Sequence, residues 1–263
     1  MELIKLILIE GESMDNKRLV QKIEELSMNA LPAIQTHIFD GWILRFSKGY
    51  TKRANSVNPI YFSNEELKRK VEKSEQLFRE KKLRVVYKLT SVVYPGDLDS
   101  TLEKNGYIFD GVTSVQVLSL KEIEAPTENN VEVYKNLHDK WFSNFCILNS
   151  ISENDQPTLK ILLSNIIPKT CFILLTNSEN AVIACGLGVL EDKYIGLFDI
   201  VTNEKYRNQG YGKQLILNIL KWGKENGAEN AYLQVEIKNT SALNLYSKRG
   251  FEEKYRYWYR IKE

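Results

Sequence analysis

The sequence predicts an α/β protein made of two similar mixed sheets, each flanked by helices. Segments with strand periodicity alternate with single amphipathic helices along the chain. The order of hairpin, helix, strand, helix and strand occurs twice, with Gly106-Tyr107 and Gly250-Phe251 in equivalent places, and a degenerate duplication accounts for this better than chance. Segment 121–130 has the polar, proline-bearing composition of a linker. We therefore predict domains over residues 1–121 and 122–263.

The first half is predicted to hold three helices, a hairpin and two further strands. The helices cover 17–31, ended by Pro32, about 63–81, capped by Ser63 or Asn64, and a short segment after Pro95-Gly96 that ends at 104–106. The strands cover 41–46 and 51–57 in the hairpin, then 83–89 and 113–120. Residues 1–13 are interpreted as an extension of a chain that could also start at Met14.

The second half is predicted to alternate in the same way. Its helices cover about 136–150, 156–167, 211–226 and 240–248. Its strands cover 171–176, 181–190, 194–201, 230–237 and 251–260. Strands that alternate with single helices favour a mixed sheet in this half too.

The charge balance excludes some classes of partner. The 263 residues include 36 Lys and Arg against 34 Asp and Glu, for a formal net charge of +2. Nucleic acid as the main partner would require a basic face or tail. The apolar run 6–9 is too short for a signal sequence or a membrane span. We expect a cytoplasmic protein with neither nucleic-acid nor membrane partners.

The cysteines and histidines indicate no metal site. Cys146, Cys171 and Cys185 are odd in number, lie in apolar surroundings and lack metal-ligand spacing, which favours free core thiols in a reducing cytoplasm. His37 and His138 lie far apart in the sequence, and neither has a second ligand at a suitable spacing.

The most informative segment leads from strand 198–201 into Arg207-Asn208-Gln209-Gly210-Tyr211-Gly212-Lys213. A helix begins at the glycines, and helix N-termini bind phosphate through unpaired N–H groups and the positive end of the dipole. Gly210 and Gly212 would let a ligand approach the backbone, while Arg207 and Lys213 would add charge-assisted contacts. By itself this motif is equally compatible with a tight turn, and the third glycine of the dinucleotide fingerprint is missing.

Together with Asn239-x-x-Ala242-x-x-x-Tyr246 and Gly250-Phe251, this segment resembles the GNAT acetyltransferase superfamily over about residues 125–263. The resemblance implies an acetyl-CoA site in the domain over 122–263, where the mixed sheet splays between strands 194–201 and 230–237. A metal is not part of this expectation.

The resemblance also implies roles for individual residues. Backbone groups of Ile200 and Val201 would pair with the pantetheine arm, and one of their N–H groups would polarise the thioester carbonyl. The cradle for the pyrophosphate would consist of Arg207, Asn208, Gln209, Gly210, Tyr211, Gly212 and Lys213. Asn239 would contact the CoA arm or cap a helix, or do both. Tyr246 would protonate the leaving thiolate, with a core aromatic as the structural alternative.

An attacking amine must lose a proton, so the reaction needs a base or a water relay. Glu236 and Asp199 lie on the two strands that line the gap, and an acid in an apolar strand is costly unless it is paired or belongs to a site. Either acid could instead bind the substrate ammonium or pair with a lysine.

The first half lacks glycine at the position of the phosphate loop and has Pro59 there, so we expect a poor CoA binder that walls the substrate cleft. Trp42, Arg45, Arg53 and Asn55 are candidates for binding a substrate carboxylate or phosphate. Half-exposed arginines that pack their stems over the sheet are the structural alternative.

The function expected from these residues is transfer of acetyl from acetyl-CoA to a primary amine of a small metabolite, amino acid or peptide, by a monomer or homodimer. The alternatives are an inactive acyl-CoA-binding regulator, which would bind CoA without turnover, and a tandem repeat used for protein interaction, which would not bind CoA.

Overall fold

The structure, a computed structural model, describes residues 2–127 and 130–263, with side chains from residue 14 onward. The chain forms two compact units. Unit 1 consists of Met1–Met28, Gln35–Val112 and Lys254–Glu263, and unit 2 of Asn29–Ile34 and Thr113–Glu253. This division differs from the predicted domains over 1–121 and 122–263, because residues 29–34 and 113–121 belong to unit 2 and residues 254–263 belong to unit 1. The predicted extension covers residues 1–13, whose side chains lie outside the described part of the chain.

Seven helices and eleven strands are assigned within the described ranges. The helices are α1 (Glu2–Ala30), α2 (Leu67–Glu80), α3 (Leu98–Lys104), α4 (Asp139–Leu148), α5 (Gln156–Ser164), α6 (Tyr211–Glu225) and α7 (Thr240–Ser247). The strands are β1 (Gln35–Phe39), β2 (Trp42–Phe46), β3 (Val57–Pro59), β4 (Val85–Thr90), β5 (Ile108–Ser119), β6 (Val131–Tyr134), β7 (Lys169–Thr176), β8 (Val182–Glu191), β9 (Tyr194–Thr202), β10 (Asn230–Glu236) and β11 (Glu252–Lys262). The α/β class, with a mixed sheet and flanking helices, is confirmed.

The predicted hairpin is partly wrong. Strand β2 pairs with β1 through a turn at Asp40-Gly41, and on its other side with β3. Most of the predicted second arm, 51–57, is not a strand, because residues 52–54 form a 3₁₀ turn and only Val57 lies in β3. Strand β1 was not predicted because residues 35–38 are exposed and carry no apolar alternation.

The sheet of unit 1 has the order β1-β2-β3-β4-β11. The β3–β4 pair is parallel and its neighbours are antiparallel. Trp42, Tyr87 and Phe78 are fully buried in the core of this unit, where Trp42 meets Tyr87 edge to face at 5.6 Å between ring centroids.

The segment that leads into helix α2 is held by a side chain distant in sequence. Neither Ser63 nor Asn64 caps the helix as predicted, and the N-cap is Glu66, without a side-chain cap bond. The carboxylate of Asp40 accepts hydrogen bonds from the N–H groups of Asn64 at 3.1 Å and Glu65 at 2.9 Å. Asp40 also binds Ser63 Oγ at 2.9 Å and Lys70 Nζ at 3.0 Å. These contacts place a negative charge in front of the helix, where it interacts favourably with the helix dipole.

The sheet of unit 2 has the order β5-β10-β9-β8-β7-β6, and its only parallel pair among the described strands is β9–β10. Residues from β7, β8, β9 and β10 pack against one face of α6 to form the core. Cys146, Cys171 and Cys185 are free and buried, as predicted.

Candidate active site

Strands β9 and β10 separate part of the way along their length. Their parallel pairing ends where Leu233 lies opposite Leu197. Strand β10 continues beside β5 as far as the pair of Glu236 with Thr113. Among the described residues, the part of β9 beyond Leu197 therefore has no partner on β10, and a gap opens at the place where the sequence predicts it.

A bulge in β9 lies at this gap. Phe198 pairs with Leu187 and Val201 with Cys185, so Asp199 and Ile200 both lie opposite Gly186. Asp199 has a φ of 53°, in the left-handed region that few non-glycine residues adopt. Bulges of this kind redirect main-chain groups beside functional sites. The bulge sets the direction of the backbone at Ile200 and Val201.

Gly186 makes room for the bulge. A Cβ at this position would lie 2.7 Å from Ile200 Cδ1, closer than carbon atoms approach in well-packed proteins. The absence of a side chain at this glycine therefore allows the close packing of Ile200 against β8.

The loop after β9 ends in an open helix N-terminus. Gly210 precedes α6 with a φ of 87°, and a Cβ there would have no neighbour within 4 Å among the described residues. The first helical hydrogen bond is donated by Gln214 N–H to the Gly210 carbonyl at 3.1 Å. The N–H groups of Tyr211, Gly212 and Lys213 precede that bond, so they are available to an anion. The loop therefore fits a phosphate group.

The charged side chains of this loop are engaged with the protein. Arg207 forms an ion pair with Glu204 at 3.3 Å and donates through Nε to the Thr202 carbonyl at 3.3 Å. Lys213 Nζ binds Glu124 Oε1 at 2.5 Å. Both cations are bound to groups of the protein, so the free N–H groups at the start of α6 are the feature of this loop that best fits a phosphate.

Tyr246 lies on α7 with its ring in the core of unit 2. It is 8% exposed and meets Phe251 at 5.8 Å between ring centroids. Burial raises the pKa of Tyr246 to about 12. Within the described part of the chain we find no hydrogen-bond partner for its hydroxyl group. The ring therefore has the structural role considered as an alternative, while the hydroxyl retains a proton to donate.

Asn239 is the N-cap of α7. Its Oδ1 accepts a hydrogen bond from the Ala242 N–H at 3.1 Å, as expected for a cap. Capping is one of the two roles that the sequence allows for Asn239, and a contact with CoA is the other.

The two candidate acids differ in their surroundings. Glu236 lies at the end of β10 with 46% of its side chain exposed, and it pairs with Lys238 at 2.8 Å. A pair with a lysine is one of the alternatives that the sequence left open for this acid, and solvent reaches the carboxylate because the strand ends there. Asp199 is half-buried in the bulge, close enough to Cys185 that its charge adds to burial in raising the pKa of that thiol. Both acids lie beyond the last β9–β10 pair, and Asp199 is the more buried of the two.

Three of the four candidate substrate-binding residues of the first half have structural roles. Trp42 is fully buried, and Arg45 and Asn55 are each 4% exposed. Arg45 donates to the Arg53 carbonyl at 2.7 Å, and burial lowers its pKa to about 10. The amide oxygen of Asn55 accepts hydrogen bonds from backbone N–H groups of residues 47–51, and its amide nitrogen donates to backbone carbonyls of the same segment. Arg53 is half-buried.

Two residues near helix N-termini were missed by the sequence analysis. Glu124, in the predicted linker, binds both Lys213 and Arg249 in unit 2. Asp40 fills the N–H groups that precede α2 in unit 1. Neither has a local sequence signal, because each binds residues far away in the chain.

Neither a metal site nor a membrane span is found in the part of the chain that the structure describes. There, three or more His, Cys, Asp or Glu side chains never come together in a way that could hold a metal ion. None of the helices there is long and apolar enough to cross a bilayer.

Residues 19–260 match the sequence family described as "Probable histone acetyltransferase Rv0428c C-terminal". The chain is 30% identical over 247 residues to the uncharacterized N-acetyltransferase YobR of Bacillus subtilis, which covers 92% of this chain and 98% of YobR. Over 82 residues it is 30% identical to the ribosomal protein bS18-alanine N-acetyltransferase of Escherichia coli, covering 31% of this chain and 54% of that enzyme.

Solved structures show the same fold. A GCN5-related N-acetyltransferase from Kribbella flavida superposes with a TM-score of 0.66 at 13% identity, covering 92% of this chain and 95% of that one. A tandem GNAT protein from the clavulanic acid biosynthesis pathway superposes with a TM-score of 0.57 at 11% identity, covering 72% and 67%. The chain therefore belongs to the family described as the Rv0428c C-terminal probable histone acetyltransferase, and it is a GNAT-type N-acetyltransferase.

Proposed function

We propose that the protein transfers the acetyl group of acetyl-CoA to a primary amine, and that unit 2 carries the site. The observation that carries this proposal is the end of the β9–β10 pairing at Leu197, followed directly by the bulge at Asp199. The unpaired edge of β9 can accept the pantetheine arm as an added strand. The open N-terminus of α6 follows on the same connection and can take the pyrophosphate.

In this proposal, Ile200 and Val201 bind the pantetheine arm through their backbone, and one of their N–H groups polarises the thioester carbonyl. The loop from Arg207 to Lys213 holds the pyrophosphate, mainly through the N–H groups at the start of α6. Asn239 caps α7 and so positions the helix that carries Tyr246.

The reaction is a direct attack on the thioester. The amine nitrogen forms a bond to the carbonyl carbon, the carbon–sulfur bond breaks, and the thiolate leaves. Before the attack, the ammonium proton of the acceptor is lost to Asp199 or to water. Tyr246 supplies the proton that the thiolate takes up, and it regains one from the nitrogen that has bonded to the carbonyl carbon. The buried, protonated hydroxyl of Tyr246 and the position of Asp199 in the bulge support these roles. The exposure of Glu236 and its pairing with Lys238 make it the weaker candidate for the base.

We also infer that unit 1 is a degenerate copy of unit 2. In unit 1, β1 to β4 and β11 pair in the same sequence of antiparallel and parallel contacts as β7 to β10 and β5 in unit 2. The carboxylate of Asp40 binds the N–H groups of Asn64 and Glu65 in front of α2, so a phosphate group at that end of the helix would meet its negative charge.

The acceptor that we propose is a small metabolite, an amino acid or the amino end of a peptide. Support for a peptide or protein amine comes from relatives named as N-acetyltransferases of ribosomal protein bS18 alanine and of protein α-amino groups. These relatives match only part of this chain, so they support the class of acceptor and not its sequence.

A thiol-release assay tests the proposal. Purified protein is incubated with acetyl-CoA and a panel of small amines, amino acids and peptides with free N-termini, and CoA release is followed together with acetylation of the acceptor by mass spectrometry. We expect release that depends on a primary amine and is lost when the amine is already acetylated. Tight CoA binding without turnover on any member of a broad panel would contradict the proposed transfer.

A further inference from the structure

The carboxylate of Glu124 lies between two cations of unit 2. Its Oε1 binds Lys213 Nζ at 2.5 Å, and its Oε2 binds Arg249 Nη1 at 2.6 Å. Both cations are partly covered, with 31% of the Lys213 side chain and 20% of the Arg249 side chain exposed. One carboxylate thus balances two positive charges, and the cluster keeps an excess of positive charge.

The segment that carries Glu124 is attached to the protein on both sides of this residue. Ile123 packs against the core of unit 2. The Thr127 N–H donates to Gln214 Oε1 at 2.8 Å, and Lys224 Nζ donates to the Lys121 carbonyl at 2.8 Å. These contacts attach the segment to α6 and hold the Glu124 carboxylate against the first turn of that helix.

The position of Lys213 relates this contact to the phosphate site proposed at the start of α6. Lys213 is the third residue of α6, so its ammonium group arises from the turn whose N–H groups are available to phosphate. Carboxylate and phosphate bind the same kind of cation through charge-assisted hydrogen bonds. Arg249 also keeps an unfilled donor, since its Nε is buried and has no partner among the described residues.

We propose that Glu124 competes with the phosphate groups of acetyl-CoA for Lys213, and that its contacts with Lys213 and Arg249 belong to the free enzyme. This inference rests on the acetyl-CoA site proposed for unit 2. Binding of the phosphates releases Lys213 from Glu124, so this residue sets the affinity for acyl-CoA and its salt dependence without touching the reacting atoms. The hydrogen bond from Lys213 lowers the pKa of Glu124.

Calorimetric titration of Glu124→Gln with CoA tests this inference. Removing the competing charge should tighten CoA binding about two- to fivefold at low ionic strength, the range for partly exposed ion pairs. The gain should shrink as salt is added. Pantetheine, which lacks phosphate, should bind equally to both proteins. Glu122→Gln is the matched control, because Glu122 is exposed on the same segment, and it should leave CoA binding unchanged.

A double-mutant cycle gives a second, independent test. Lys213→Gln should weaken CoA binding more in the Glu124→Gln background than in the wild type, because Lys213 is then already released. The inference is overturned if Glu124→Gln binds CoA no more tightly than the wild type, or if Lys213→Gln has the same effect in both backgrounds. A wild type that binds no CoA would instead refute the proposed function itself.

Discussion

The carboxylate of Asp40 accepts a hydrogen bond from the Glu65 N–H at 2.9 Å, in front of helix α2. The bonded N–H groups belong to residues 64 and 65, which precede the N-cap Glu66, so this contact fixes the path of the chain into α2. Lys70 Nζ, one turn into the helix, binds the same carboxylate at 3.0 Å.

Asp40→Asn should destabilise unit 1 and lower the thermal unfolding temperature, because the N–H groups before α2 and Lys70 lose a charged acceptor. Asp97→Asn is the control, since Asp97 lies at the start of α3 but makes no side-chain cap bond among the described residues. Equal unfolding temperatures for the two variants would contradict this role of Asp40.

The same contact predicts a pH dependence. The N–H groups of Glu65 and Asn64 hold the pKa of Asp40 well below its usual range. A carboxyl group whose pKa is lower in the folded state stabilises the protein above its unfolded pKa of about 4, and this contribution is lost as the pH falls towards the folded value. The difference in unfolding temperature between wild type and Asp40→Asn should therefore be full near pH 7 and shrink below about pH 4. A difference that grows on acidification would contradict this assignment.

Gly210→Asp should weaken CoA binding about 10- to 100-fold, because a negative charge would face the pyrophosphate at the start of α6. Gly210→Asn is the matched control, since asparagine tolerates the left-handed φ of 87° and adds no charge. Calorimetric titration should show a much smaller loss for the asparagine variant. Normal CoA binding by the aspartate variant would refute the assignment of this loop to phosphate.

Tyr246→Phe should lower kcat about 10²- to 10⁴-fold, the usual contribution of a general acid. CoA affinity should change little, because the ring stays packed against Phe251. Unchanged kcat would remove Tyr246 from the proton-transfer step. The comparison requires steady-state kinetics together with a CoA titration of both proteins.

The raised pKa of Tyr246 makes a further prediction for the rate profile. An acid must be protonated to act, and the buried phenol loses its proton only near pH 12. The wild-type rate should therefore show no loss from tyrosine ionisation up to about pH 10, the ordinary tyrosine pKa. An alkaline loss centred near pH 10 that disappears in Tyr246→Phe would contradict the burial of this hydroxyl group.

Arg45→Met should reduce the free energy of unfolding by about 1–3 kcal/mol, because the half-buried Arg53 carbonyl loses its charged donor. The KM for the acceptor amine should not change, since Arg45 is buried inside unit 1. Arg84→Met is the control, because Arg84 is half-exposed and pairs with Glu263 at 3.8 Å. A large change in KM with unchanged stability would restore Arg45 as a substrate-binding residue.

Local sequence patterns predicted most helices and strands to within a few residues. Helix α6 and strand β10 have strong periodicity, and their predicted ranges of 211–226 and 230–237 match the structure closely. Strand β1 escaped prediction because its exposed residues lack an apolar pattern, and it is formed by pairing with β2. A short-range sequence pattern shows the periodicity of a segment, but it does not show which strand pairs with that segment.

The candidate site could be proposed from the sequence where its residues belong to short motifs, as Gly210 and Tyr246 do. The state of Glu236 did not, because its exposure depends on where β10 ends relative to β9. The neighbouring sequence could not decide the roles of Trp42 and Arg45 either, because the burial of a strand residue depends on which elements pack over it.

By itself, the sequence determined the α/β class, the elements around the phosphate loop and the GNAT-type motifs, because each depends on residues a few positions apart. Only the tertiary structure decided that β11 pairs with β4 and that β5 pairs with β10, so that each unit takes a strand from the other half of the sequence. It also decided which anion lies at each cluster of donors and cations: Asp40 at α2 and Glu124 at Lys213. The physical reason is that hydrogen bonds and ion pairs act over a few ångströms of space, whatever the distance along the chain.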